Sequence, residues 1–225
     1  MKPRHYNDIR KVEAREATII GAYRTLTGLS VVPSDDQYIT LCGPMTHDGR
    51  LLPYCELNHM MSSGLITANQ FHGIEHVLDI HENNVAAMAL ENGANPPHLY
   101  HGEFHEVLSE MLATGNLSPA IVNLDTCYEP ERGVSVLGAV LNVLNQTSNQ
   151  TMLVLNVVLE QKRRGRSYTF EDLTRLINEN TFCKNRLLEG GWVESEQGVL
   201  YGGTSRSRIT MGTNIFYREG PNVRN

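Results

Sequence analysis

Polar or small residues that end an apolar run are where an α/β chain places its chemistry, and this sequence has four such places. "YITLC" runs into Cys42-Gly43-Pro44, and "QFHGIE" ends on Glu75 with His76 after it. "HLYHGEF" carries Gly102-Glu103-Phe104, and "AIVNLDT" closes on Asp125 and Thr126, with Cys127 and Tyr128 just beyond. Carboxylates at such ends accept hydrogen bonds from hydroxyl and amino groups. A thiol becomes a nucleophile where a cation lowers its pKa; Cys127 has no cationic neighbour in the sequence, so an ordinary thiol is expected there. Tyr128 offers a substrate both a hydroxyl and a ring.

Two further groupings carry charge or metal-binding atoms. His72, His76 and His81 lie close in sequence, as do His98, His101 and His105. A transition metal needs converging ligands, whereas Gly102 and a change from strand to helix aim His101 and His105 apart, so no metal site is expected. The run "QKRRGR", 161 to 166, gathers Lys162, Arg163, Arg164 and Arg166, and Arg206 and Arg208 extend it. Such a patch suits the phosphates of a nucleic acid or of a small molecule. Aromatic residues do not interleave with it, which gives no basis for base stacking.

The 225 residues, 40% hydrophobic and 20% charged, fit one folded domain. A formal charge of -6 excludes a protein that coats nucleic acid with its whole surface, but leaves room for a local basic patch. The four cysteines form no C-x-x-C pair, so neither a zinc site nor a disulfide framework is indicated. No stretch of 18 apolar residues occurs and no export segment is visible, from which a cytoplasmic protein without a membrane span is expected.

The elements that would position these residues follow from periodicity. Residues 6 to 28 carry apolar side chains at helical spacing and stop at Gly28. "YITLC" is the first strand; Pro53 opens a helix that Gly64 closes, and "QFHGIE", 70 to 75, is the second strand. Asp79 and Glu82 have capping-box spacing before a helix that ends at Gly93. "HLYHGEF" reads as a third strand, "HEVLSEMLA" as a helix, "AIVNLDT" as a strand covered on both faces, 133 to 146 as a helix and "TMLVLNVVLE" as a fifth strand. Thr169 caps one more helix, and "GWVESEQGVLYGG" with "RITMGTNIFYR" reads as an antiparallel hairpin. Alternating strands and helices imply a mostly parallel sheet with helices on both faces. The expectation is one domain over 1–225, with 1–35 as an N-terminal helical extension.

Five alternating units followed by a hairpin resemble the class I methyltransferases that use S-adenosylmethionine, over roughly residues 36 to 218. The resemblance implies a Rossmann-like three-layer sandwich whose seven-stranded, mostly parallel sheet ends in an antiparallel hairpin. It also implies S-adenosylmethionine as cofactor. Gly43 and Pro44 would then face its methionine part, Glu75 the ribose hydroxyls with His76 as a pocket wall, and Glu103 with Phe104 the adenine. Asp125 and Tyr128 would position the methyl acceptor. Three departures from the family pattern stand beside this: the first loop lacks G-x-G-x-G, an insertion "THDGRLLP" lengthens it, and "NLDTCYEP" matches neither the Asp-Pro-Pro-Tyr nor the Pro-Cys type. The acceptor stays open between nucleic acid and a small phosphate-bearing molecule. A catalytically silent binding or regulatory protein of the same fold is the alternative.

Overall fold

The computed structural model describes residues 9–47, 50–53, 55–91, 96–126, 128–161, 166–195, 199–202 and 209–220. Among them, seven strands form the main path of one sheet: β1 Gln37–Leu41, β2 Phe71–Glu75, β3 His98–His101, β4 Pro119–Asp125, β5 Thr151–Gln161, β6 Val199–Gly202 and β7 Ile209–Arg218. Their spatial order is β3-β2-β1-β4-β5-β7-β6. The first five are parallel; β7 runs antiparallel to β5, and β6 antiparallel to β7. The Rossmann-like, mostly parallel sheet closed by a hairpin is therefore the observed architecture. The order reverses between β1 and β4, and ligands of such sheets collect at the carboxyl edge beside that reversal.

Strand side chains alternate between faces. One face carries Ile39, Ile74, Val122, Leu124, Leu153, Leu155 and Val157, packed under helices α5 Phe104–Ala113, α6 Pro130–Leu144, α7 Phe170–Glu179 and α8 Thr181–Glu189. The other carries Tyr38, Phe71, Ile121, Met152, Val154 and Ile215. That second face lies under α1 Ile9–Arg15, a π-helical segment Glu16–Gly21, α2 Ala22–Thr27, α3 Glu56–Ser62 and α4 Leu78–Glu91.

Several boundaries differ from the sequence expectation, each for a local reason. The third strand stops at His101 because Gly102 turns the chain at φ +149, and Phe104 opens α5 instead of ending a strand. α3 starts at Glu56, not Pro53, because "THDGRLLP" folds back as a small hairpin of Thr46–His47 with Arg50–Leu51. α4 begins at Leu78, one residue before the expected cap Asp79, which becomes a first-turn acid. The cap at Thr169 is formed, with Asp172 N–H donating to its hydroxyl at 3.1 Å. Helix α8 has no counterpart in the sequence reading: Asn180 ends α7 and also caps α8 by accepting from Cys183 N–H at 2.9 Å, so no glycine or proline marks the break.

Candidate functional site

Two amides interrupt the apolar strands on the second face, Asn123 in β4 and Asn156 in β5, 2% and 5% exposed. Buried polar groups need partners, and these have them in a continuous chain. Glu56, the first residue of α3, lays its carboxylate across β1 and β4: Oε1 accepts from the Tyr38 hydroxyl and, at 2.8 Å, from Asn123 Nδ2. Asn123 Oδ1 accepts from Asn156 Nδ2 at 2.9 Å, and Asn156 Oδ1 accepts from the Thr213 hydroxyl of β7. Burial, and then the charge of Glu56, push the Tyr38 phenol well above its ordinary range, so it stays a donor. The other carboxylate oxygen of Glu56 faces Arg15 Nη2 at 3.7 Å, an ion pair whose side chains are 3% and 12% exposed.

Beside this chain lies a small cleft, which Ala14 and Ile19 also line. Arg15 and Thr18 of the N-terminal helix line one side, and Asn123, Asp125 and Asn156 the other. The helix widens here into its π segment, and the Thr18 hydroxyl donates back to Ala14 O at 2.8 Å. Such widened turns recur at functional sites. Asp125, half-buried, lines this small cleft at the end of β4.

The loop after β1 is fixed by one side chain. Asn84 of α4, 1% exposed, accepts from Met45 N–H at 3.0 Å and donates to Gly43 O at 2.9 Å. Cys42 N–H donates to Ile74 O at 3.1 Å, and Pro44 has no N–H to offer. Gly43 turns at φ +49, a conformation that favours glycine. Burial, and then the neighbouring charge of Glu75, push the Cys42 thiol far up, which removes it as a nucleophile.

Glu75 ends β2 beside this loop, with β1 between it and Asp125. Its Oε1 accepts from Val77 N–H at 2.9 Å and lies 3.3 Å from Nδ1 of the exposed His76. The backbone at the third strand end joins it, Gly102 N–H donating to Glu75 O at 3.2 Å. Glu103 is exposed at the start of α5, whereas the Phe104 ring is buried in the apolar core of the opposite face. Tyr128 is half-buried, its ring covered by the Arg132 guanidinium at 3.8 Å. Gly43, Pro44, Glu75, His76 and Glu103 therefore share one part of the carboxyl edge, Asp125 the cleft, and Phe104 the core.

Among the described residues no three histidines, cysteines or acids converge as metal ligands. The histidines pair differently: His72 stacks on His98 with centroids 4.6 Å apart and on Tyr100, and His81 lies against His101. Cys127 and the basic run 162–165 lie outside the described residues, as do Arg206 and Arg208; the side chain of Arg166 is likewise outside them. Sequence reasoning missed Arg15, Glu56, Asn84, Asn123 and Asn156. The two strand amides had a signal, a lone Asn inside "AIVNLD" and inside "TMLVLNVVLE".

No protein-family model and no curated protein matches the sequence. Solved structures do match. A candidate sarcosine dimethylglycine methyltransferase from Galdieria sulphuraria superposes with TM-score 0.53 at 9% identity, over 97% of this chain and 91% of that one. Magnesium protoporphyrin IX methyltransferase from Synechocystis PCC 6803, solved with bound SAM, gives 0.52 at 10% identity, over 94% and 81%. The methyltransferase domain of bacterial CtHen1-CN gives 0.51 at 10% identity, over 92% and 97%. The chain has the class I methyltransferase fold. The first two names state different substrates, so the shared fold does not choose an acceptor. Among the described residues no helix is long and apolar enough to cross a membrane.

Proposed function

We propose that the protein is an S-adenosylmethionine-dependent methyltransferase working at the carboxyl edge of its sheet. The observation that carries this reading is the placement of two acids, Glu75 and Asp125, on β2 and β4 on either side of β1, at the reversal of strand order. The acid at the end of β2 suits the ribose of that cofactor. Glu75, anchored by Val77 N–H through one oxygen, has a carboxylate able to accept from vicinal hydroxyls. Gly43 and Pro44 form the adjoining wall, and His76 and the exposed Glu103 border the adenosine end.

The cofactor supplies an activated methyl group, which leaves the chain the work of orientation. Asp125 accepts from the attacking group of the acceptor and holds it in line, and Tyr128, steadied by Arg132, bounds the approach. A phosphate-bearing acceptor, nucleic acid or small molecule, is the class we favour, on the sequence of the basic run at 162–166.

Calorimetric titration tests the reading. S-adenosylhomocysteine should bind the full chain, and Glu75→Ala should weaken it by about a hundredfold, the scale of a lost charge-assisted pair of hydrogen bonds. Unchanged affinity in Glu75→Ala means that the ribose acid is elsewhere. The second reading, a catalytically silent binding protein of this fold, is favoured by the committed donors of the loop after β1. Cofactor binding with no transfer to any offered nucleophile would support it.

A further inference from the structure

Asn84 lies on the buried side of α4 with Ala87 and Met88, all three nearly without exposure. An apolar side chain would serve that packing as well, because a buried amide loses its water and its hydrogen bonds return little net stability. What the amide adds is a fixed backbone. Its Nδ2 donates to Gly43 O at 2.9 Å and its Oδ1 accepts from Met45 N–H at 3.0 Å. One side chain thus holds two consecutive peptide planes, with the restricted φ of Pro44 between them. Nδ2 also lies 3.9 Å from Cys42 Sγ, so every polar hydrogen of the amide has a neighbour.

The same anchor reaches the inserted hairpin. Met45, fully buried, accepts through its carbonyl from Leu52 N–H at 2.8 Å, which closes the base of the hairpin Thr46–His47 with Arg50–Leu51. Helix α4 packs against both of its strands. The insertion and the loop after β1 are therefore held by one residue of α4. Within that loop Cys42 N–H is taken by β2 and Met45 N–H by Asn84, while the half-buried Gly43 keeps an N–H with no hydrogen-bond partner among the described residues. A carboxylate can accept from such a donor.

We infer that Asn84 is a positioning residue for the cofactor: it sets the turn of Gly43 and Pro44 that receives the amino-acid end, without touching the ligand itself. This rests on the proposed function. The inserted hairpin then braces the cofactor loop.

The test compares two ligands that share the adenosine and thioether, only one of which carries the amino-acid end. S-adenosylhomocysteine and 5′-methylthioadenosine are titrated into the full chain by calorimetry. The wild-type protein should bind S-adenosylhomocysteine at least about tenfold more tightly. Asn84→Leu removes both hydrogen bonds, and Asn84→Asp keeps an acceptor for Met45 N–H but sets an oxygen against Gly43 O. Each, checked for native circular dichroism, should bring the two ligands within about threefold of each other while leaving the affinity for 5′-methylthioadenosine unchanged. A merely structural asparagine would weaken both ligands equally or neither, and either result overturns the inference. On the wild-type protein alone, Met45 N–H should exchange more slowly with S-adenosylhomocysteine bound than with 5′-methylthioadenosine bound. Equal exchange, or equal wild-type affinity for the two ligands, overturns the inference without any variant. If the wild-type protein binds neither ligand, the proposed function itself falls and takes this inference with it.

Discussion

The two faces of the sheet are built from the same strands and differ in kind. From β1 through β5, one face presents Ile39, Val122, Leu124, Leu153 and Leu155, all fully buried and apolar. The other also buries Phe71, Ile121, Met152 and Val154, but among them it sets Tyr38, Thr40, Asn123 and Asn156, buried and joined by hydrogen bonds to Glu56 and Thr213. Apolar burial is the dominant favourable term in folding, so the first face is what a stable sheet requires and the polar inset of the second is a departure from it. A network of amides contributes little net stability per bond and is costly when half-satisfied. Its position beside the small cleft at the end of β4, on one face only, sets it apart from the apolar core.

Substitutions that hit one face and spare the other break this comparison most sharply. Leu155→Ala, in the fully buried apolar face, should cost about 3 kcal/mol of stability from lost burial and the residual cavity, with cofactor affinity unchanged. Chemical denaturation and titration on the same sample check both halves. Asn123→Leu keeps the volume but strips Glu56 and Asn156 of a partner each. It should cost about 2 kcal/mol and also weaken cofactor binding, so a variant that binds normally would make the network merely structural.

A smaller effect separates the carboxyl edge from the other end of the sheet. Burial, aided by His98, lowers the His72 pKa from 6.5 to about 4, where its Nδ1 lies 3.0 Å from the Tyr100 hydroxyl. As pH falls below about 6.5 the unfolded imidazole takes up a proton that the folded one refuses until about 4. Stability is therefore full above that window and declines through it, and His72→Phe should flatten the decline measured by denaturation from pH 7 to 4. Smallest of all, Glu103→Ala at an exposed position should leave stability within about 0.5 kcal/mol and reduce cofactor affinity only a few-fold.

How much of this was legible in the sequence follows the same division. β4 and its closing Asp125 were readable because "AIVNLDT" is an almost continuous apolar run closed by an acid. Glu75 was singled out by its place in the order of strands, as the acid ending "QFHGIE", a segment that is not continuously apolar. Phe104 was placed at a strand end because "HLYHGEF" was read as one strand through Gly102, whereas Gly102 turns the chain and Phe104 opens a helix and packs in its core. The Arg15 and Glu56 pair was not readable at all. Its partners sit 41 positions apart on two helices, both with ordinary amphipathic surroundings, and only tertiary packing decides that these charges point inward. Asn123 and Asn156 lay between these cases: each was visible as an amide in an apolar strand, but their mutual hydrogen bond depends on the register that sets Asp125 opposite Asn156.

The claim on which the rest depends is that the carboxyl edge around the strand-order reversal is the cofactor site. Residue-resolved amide hydrogen exchange, with and without saturating S-adenosylhomocysteine, tests it directly. The account predicts slowed exchange at Gly43, at His76 and Val77 after β2, at Gly102 and across Asp125 to Tyr128, with the amino ends of the strands unchanged. Unaltered exchange at all of these positions, or protection confined to the amino edge or to the helices over the apolar face, would contradict it.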